Sequence, residues 1–265
     1  MSELPFWAWP LLLFLVCLVI GVIAVPAGIG GGTLFVPLVG GFFPFHLDFV
    51  RGIGLLVALA SALAAAPALM RSGLASIRVA LPIGIVVSIC SAGGALLGLT
   101  LSPNVVQIAL GALVMTIAVM MMLSSNSSDS HDFLPDRWSA FLHLRGSYVD
   151  AANQQHVQWQ VHRTLAGLVA FAVIGVLAGM FGIGAGWANM PALHLLMGLP
   201  VKMAAGVSGL VIGIGSSSAA WVYLNEGAVL PMLAVPSIVG IMLGARLGAR
   251  LLNVLKGSTI RRMVI

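Results

Sequence analysis

The sequence predicts an all-α, polytopic membrane protein made of two homologous helical repeats, inverted relative to one another and each containing a short, glycine-broken helix. Three observations predict it. Of 265 residues, 60% are hydrophobic and 7% charged, against roughly 25% charged in a soluble domain, and the mean hydropathy is +1.11. Runs such as Leu11 to Val25, Val79 to Leu101 and Val105 to Leu123 approach or reach the ~20 apolar residues that cross a bilayer. The cluster Gly28-Ile29-Gly30-Gly31-Gly32-Thr33, followed by Pro37, returns as Gly182-Ile183-Gly184-Ala185-Gly186-Trp187, followed by Pro191.

Taken in order, the chain begins Met1-Ser2-Glu3 without a basic stretch, so its first apolar run, 7–27, reads as a helix and not as a cleaved leader. Four glycines in five positions then break that helix, each costing about 1 kcal/mol relative to Ala. Thr33 to Phe45 follows; at 1.5 Å per residue it covers about 20 Å, short of the ~30 Å hydrocarbon core. Further spans are expected over 51–70, 78–99 and 103–123. These close a first membrane repeat, 1–123. Ser124 to Arg163 holds four of the seven acids and reads as a polar, solvent-exposed cytoplasmic connector, 124–163, with room for one short helix. Its histidines, His131, His143, His156 and His162, lack regular metal spacing. Cys17 and Cys90 lie in apolar helices, so a disulfide or metal role is not expected.

The second membrane repeat, 164–265, copies the first. A gapless shift of 154 positions pairs Gly28 with Gly182, Gly30 with Gly184, Gly32 with Gly186, Pro37 with Pro191, Gly52 with Gly206, Gly73 with Gly227, Pro82 with Pro236 and Gly94 with Gly248. That is an internal duplication. By the same shift the last span of the second repeat starts near Gly257 and reads as truncated at Ile265. Charge sets the handedness of the pair. If the short segment Trp187 to Leu199 crosses the membrane, Arg71, Arg78, Arg137, Arg145, Arg163, Lys202, Arg246, Arg250, Lys256, Arg261 and Arg262 share one side and Arg51 stands alone on the other. Lys and Arg concentrate on the cytoplasmic face, which favours this arrangement. Five crossings per half, an odd number, make the repeats inverted.

The duplicated GxGxGxxxxP pattern, Gly28–Pro37 and Gly182–Pro191, resembles the TauE/SafE family of membrane anion exporters. So do the turn Gly206-Val207-Ser208-Gly209, Gly227 ahead of a new helix, and Pro236 leading into Gly244-Ala245-Arg246-Leu247-Gly248. Ala185 departs from the pattern where the first repeat has Gly31. The resemblance implies export of sulfite, sulfoacetate or a related sulfur-containing or organic anion across the bacterial inner membrane.

The residues themselves support an anion site. A helix N-terminus carries roughly half a positive charge and unpaired N–H groups, and a glycine-rich backbone adds donors. The expected substrate-binding residues are Gly30, Gly31, Gly32, Thr33, Gly184, Ala185, Gly186, Trp187, Asn189 and Ser208, with the two short helices aiming their N-termini at one midplane site. The competing reading is that small residues let helices pack closely in lipid; it is preferred for Gly94 and Gly213. Arg51 reads as an interfacial anchor or as part of an anion vestibule. His194 reads as satisfied in the core, and Ser216-Ser217-Ser218 as bonded within their helix or to a neighbour. Outside the connector the acids are Glu3, Asp48 and Glu226, all near helix ends, so no buried carboxylate is expected to carry protons. No HExxH, paired acids or Ser-His pair lies in the lipid part, which argues against an enzyme. A scaffold would not need duplicated helix breaks. No cofactor or nucleic acid is expected; the partners are a small anion, the bilayer and, admissibly, further copies of the chain.

Overall fold

The computed structural model describes residues 8–43, 45–102, 104–112, 115, 139, 144–150 and 155–254. Its helices are α1 (Ala8–Ala24), α2 (Gly31–Phe42), α3 (Leu47–Arg71), α4 (Ile77–Thr100), α5 (Thr164–Phe181), α6 (Gly186–Pro191, continued by a π turn Ala192–Leu196), α7 (Val201–Asn225) and α8 (Pro231–Val254). Among the described residues, five helices are long and apolar enough to cross a membrane: α3, α4, α5, α7 and most of α8. A helical stretch covers 104–112; the rest of the expected fifth span, and the expected tenth, lie outside the described residues.

The duplication is visible in the backbone. Shifting α3 by 154 positions reproduces the bounds of α7, and shifting α4 reproduces those of α8. The turns match as well: positive φ angles fall on Gly28 and Gly182 (69° and 69°), Gly30 and Gly184 (72° and 70°), and Gly73 and Gly227 (71° and 67°). These are left-handed turns that a side chain would strain.

Contacts between the halves respect the same pairing. α1 packs on α8 as its counterpart α5 packs on α4, and α3 packs on α8 as α7 packs on α4. Their seams are lined by glycine. A side chain on Gly240 or Gly244 would overlap Phe14 O or Leu18 O; one on Gly94 or Gly179 would overlap Val176 O or Ser91 O. Close backbone approach of this kind is how helices associate in lipid, where burial of apolar surface drives little. Polar clamps add to it: Ser91 Oγ donates to Gly215 O at 2.7 Å and Ser218 Oγ to Ser88 O at 2.7 Å. Along α3 and α7 the contacts run in opposite senses, with Arg51 against Tyr223 at one end and Leu69 against Gly209 at the other. Along α1 and α8 they run in the same sense, from Phe14 and Gly240 to Gly21 and Gly248.

The outward faces carry Leu11, Leu15, Val19 and Ile23 on α1 and Val235, Val239, Leu243, Leu247 and Leu251 on α8, all exposed. An i, i+4 stripe of bare aliphatic side chains is a surface built for lipid.

One element departs from the all-α expectation. Within the connector two strands pair antiparallel, β1 (Arg145–Asp150) against β2 (Gln155–Gln160). Their root is tied down: Leu144 and Val161 are buried, Val161 N–H donates to Leu144 O at 3.1 Å, and His162 N–H donates to Met197 O at 3.0 Å.

Candidate functional site

The two glycine clusters cross one another at the middle of the molecule. After α1 the chain closes with Gly28 N–H to Val25 O (3.0 Å) and Ile29 N–H to Ala24 O (3.1 Å), and restarts as α2 at Gly31. The second cluster leaves α5 at Gly182 and restarts as α6 at Gly186, with Ala185 as its N-cap. A Cβ on Gly32 would lie 2.6 Å from Gly54 O and 3.0 Å from Ile183 O; one on Gly186 would overlap Ile29 O. Each cluster is thus seated on the repeat-related carbonyl of the other. Both rest on the midpoints of α3 and α7: Gly30 meets Ile212, Gly31 meets Val57, and Gly184 meets Ala58.

Hydroxyls hold this crossing. Thr33 Oγ1 lies 2.7 Å from Ile29 O and 3.1 Å from Ile183 O, bridging the clusters, and Ser208 Oγ donates to Gly28 O at 2.6 Å. Both hydroxyls therefore brace cluster carbonyls in this conformation. The α2 N-terminus is met by Ser61, whose Oγ accepts from Gly31 N–H at 3.4 Å while donating to Ala58 O at 2.9 Å. Ser61 was not singled out in the sequence; its repeat mate is Gly215, so nothing in the duplication marks it.

Within the turn after Gly186, two further expected residues stand differently. Asn189 is fully buried with neither its Nδ2 nor its Oδ1 hydrogen-bonded, and Trp187, 8% exposed, has an unpartnered Nε1. Ser216 Oγ is likewise buried without a partner and would lie 3.6 Å from a Cβ at Gly184. Ser217 and Ser218 behave as expected, bonding Ile214 O and Gly215 O in their own helix. His194 Nδ1 lies 2.8 Å from Leu199 O, a contact that places its proton on Nδ1.

A narrow cleft reaches the crossing. Gly28, Gly30, Ser61, Leu69, Ala205 and Gly209 are among its lining residues, which places it toward the C-terminal end of α3 and the N-terminal end of α7. The opposite end is filled by side chains. There Arg51 is 1% exposed, bonded to Asp48 Oδ1 at 2.8 Å and to Met180 O, with its guanidinium carbon 5.3 Å from the Tyr223 ring centroid. It is not the interfacial anchor that was one of its two readings: a charge count gives the side of a residue and not its depth. Among the described residues no group of His, Cys, Asp or Glu is placed to hold a metal, and Cys17 and Cys90 are free thiols.

Long apolar helices with bare aliphatic outer faces, a duplicated core and broken helices meeting at its centre define a multi-pass membrane protein. The chain belongs to the TauE/SafE sulfite exporter family, whose model matches residues 13–265. It is similar to the probable membrane transporter protein YunE of Bacillus subtilis (strain 168), with 30% identity over 99 residues, 37% of this chain and 36% of that protein. The match therefore spans about a third of the relative's length. No solved structure matches the chain.

Proposed function

We propose that this chain carries small anions, sulfite or a related sulfur-containing or organic anion, across the bacterial inner membrane. The observation that carries the reading is the crossing of the two glycine clusters at the head of the cleft. It sets the start of α2 against Ile183 and the start of α6 against Ile29, and within the turn that follows Gly186 stand Asn189 and Trp187, buried with unpartnered polar atoms. Unpaired donors in a dry interior suit an anion that must shed its water. The family membership supports the same substrate class.

Inverted halves are part of this reading. α3 and α7 occupy equivalent positions of the two repeats yet pack in opposite senses. Halves related by an axis along the membrane normal would align those two helices. An axis in the membrane plane opposes them, and it suits rocking of one half against the other about a central site. The cleft end carries Arg71, Arg78 and Lys202, which supports a cytoplasmic side for it in this reading. An anion leaving a negative-inside cell gains about 2.3 kcal/mol per charge per 100 mV, so export requires no proton-carrying carboxylate.

Thermal unfolding of the purified protein in sulfite, sulfate, sulfoacetate and an organic acid tests the site, because a ligand that binds the folded state stabilises it by mass action. At least one of these anions is expected to raise the melting temperature in a saturable way beyond chloride at equal ionic strength. Equal effects of all of them and of chloride would count against an anion site.

A further inference from the structure

We propose that Arg51 and Tyr223 close the second half of the anion's path, the repeat-related counterpart of the open cleft, and that the Arg51 guanidinium is the group an anion meets there when that half opens. The proposal rests on the transport reading above.

The comparison that carries it is internal. Shifted by 154 positions, Ala205 of the cleft corresponds to Arg51, Leu69 to Tyr223, Val25 to Gly179 and Gly28 to Gly182. At the cleft end these positions leave an opening. At the other end Arg51 and Tyr223 fill the equivalent space, and they do so against the equivalent backbone. Tyr223 Oη donates to Gly179 O and Met180 O, each at 3.4 Å; Arg51 bonds Met180 O; and the Arg51 backbone lies against Gly182. One ring and one cation therefore bridge α3, α5 and α7 where the mate positions leave a gap. The bonds of Arg51 and Tyr223 to Gly179 and Met180 are side-chain contacts, which break when the two side chains part.

The same cation is suited to receive the substrate. Arg51 is buried to 1% exposure, its Nε has no partner, and its guanidinium also approaches Gly98 of α4. A planar fork of donors with one position vacant matches an oxoanion, sulfonate or carboxylate. Asp48, 31% exposed in its side chain, holds the fork from the solvent side, and His46 lies 3.4 Å from that carboxylate. An anion arriving from the centre would compete with Asp48 and the Tyr223 ring for the guanidinium. That competition couples release of the substrate to opening.

The test uses repeat mates. In a Cys17→Ala, Cys90→Ala background, Ala62→Cys reports the open half and Ser216→Cys, at the mate position, the closed half. An impermeant sulfonate-bearing thiosulfonate reagent is applied to vesicles of both orientations. The expected result is rapid modification of Ala62→Cys from the Arg71 side and slow modification of Ser216→Cys from the Arg51 side. The latter should rise about tenfold in Arg51→Ala or Tyr223→Leu, which install the residues found at the open end and remove a desolvated cation–π contact. Equal reactivity of the two cysteines in the parent overturns the proposal without recourse to either variant. So does an unchanged Ser216→Cys rate in variants that remain monodisperse. Labelling needs no flux: gated labelling in a protein that moves no anion would remove the transport reading and keep the closure, and ungated labelling beside intact flux would do the reverse.

Discussion

A buried amide left without hydrogen bonds costs about 1–3 kcal/mol, and Asn189 carries that cost with both of its polar atoms bare. The fold does not require it. Its repeat mate in the first half is Phe35, 1% exposed and packed in the apolar core. Asn189→Leu is therefore expected to stabilise the protein by about 1–3 kcal/mol in thermal or denaturant unfolding, while abolishing anion-dependent stabilisation. Loss of stability would mean that the amide has a structural partner, and retained anion response would place the ligand elsewhere. Thr33 and Ser208 behave oppositely. Their hydroxyls hold Ile29 O, Ile183 O and Gly28 O, so Thr33→Val is expected to lower the melting temperature, costing about 1 kcal/mol. At this scale the sequence singled out polar residues, since a polar side chain inside an apolar segment stands out. It did not separate donors spent on the fold from donors left over, because that depends on which carbonyl lies across the crossing.

The helices show how two neighbouring glycines can differ in kind. On α4, Gly94 faces α5, where a side chain would overlap Val176 O, whereas a Cβ on Gly93 meets nothing within 4 Å. Gly93→Ala should gain up to about 1 kcal/mol from helix propensity. Gly94→Ala should lose roughly 1–3 kcal/mol by forcing the helices apart. Comparing melting temperatures of the two purified variants checks this, and equal shifts would contradict the seam. The same geometry revises what the clusters' glycines do. Positive φ falls on Gly28, Gly30, Gly182 and Gly184, and not on Gly32 or Gly186, which instead sit against Gly54 O and Ile29 O. A bulky residue at Gly32 or Gly186 would therefore wreck the crossing as well as any site, so substitutions there do not separate packing from binding. The breaks were legible because glycine clusters are incompatible with helix; their mutual contact was not, since it joins residues about 150 positions apart. The strand pair of 145–150 and 155–160 escaped for a different reason: a polar run with few apolar residues carries little strand periodicity, and the anchorage of the neighbouring His162 to Met197 is tertiary.

For the whole molecule, the duplication was the most legible feature, because a fixed offset survives divergence of individual side chains. Paired φ angles and paired helix bounds follow it closely. What the offset could not reveal was asymmetry between the halves. Ala205 and Arg51 are mates, as are Leu69 and Tyr223, and this divergence leaves one end open and the other filled. The side assignment makes its own prediction. In a Cys17→Ala, Cys90→Ala background, Glu226→Cys should react with an impermeant thiol reagent in intact cells, and Ser72→Cys should be shielded. The reverse pattern would invert the molecule in the membrane and contradict the charge argument.

The most direct test of the account is anion flux from proteoliposomes containing the purified chain, loaded in turn with sulfite, sulfate, sulfoacetate and an organic acid. The account predicts saturable efflux of at least one of them, faster when the outside is made positive, and lost in Asn189→Leu although that variant is the more stable protein. Efflux no greater than from empty liposomes for every anion, or undiminished efflux in Asn189→Leu, would contradict it.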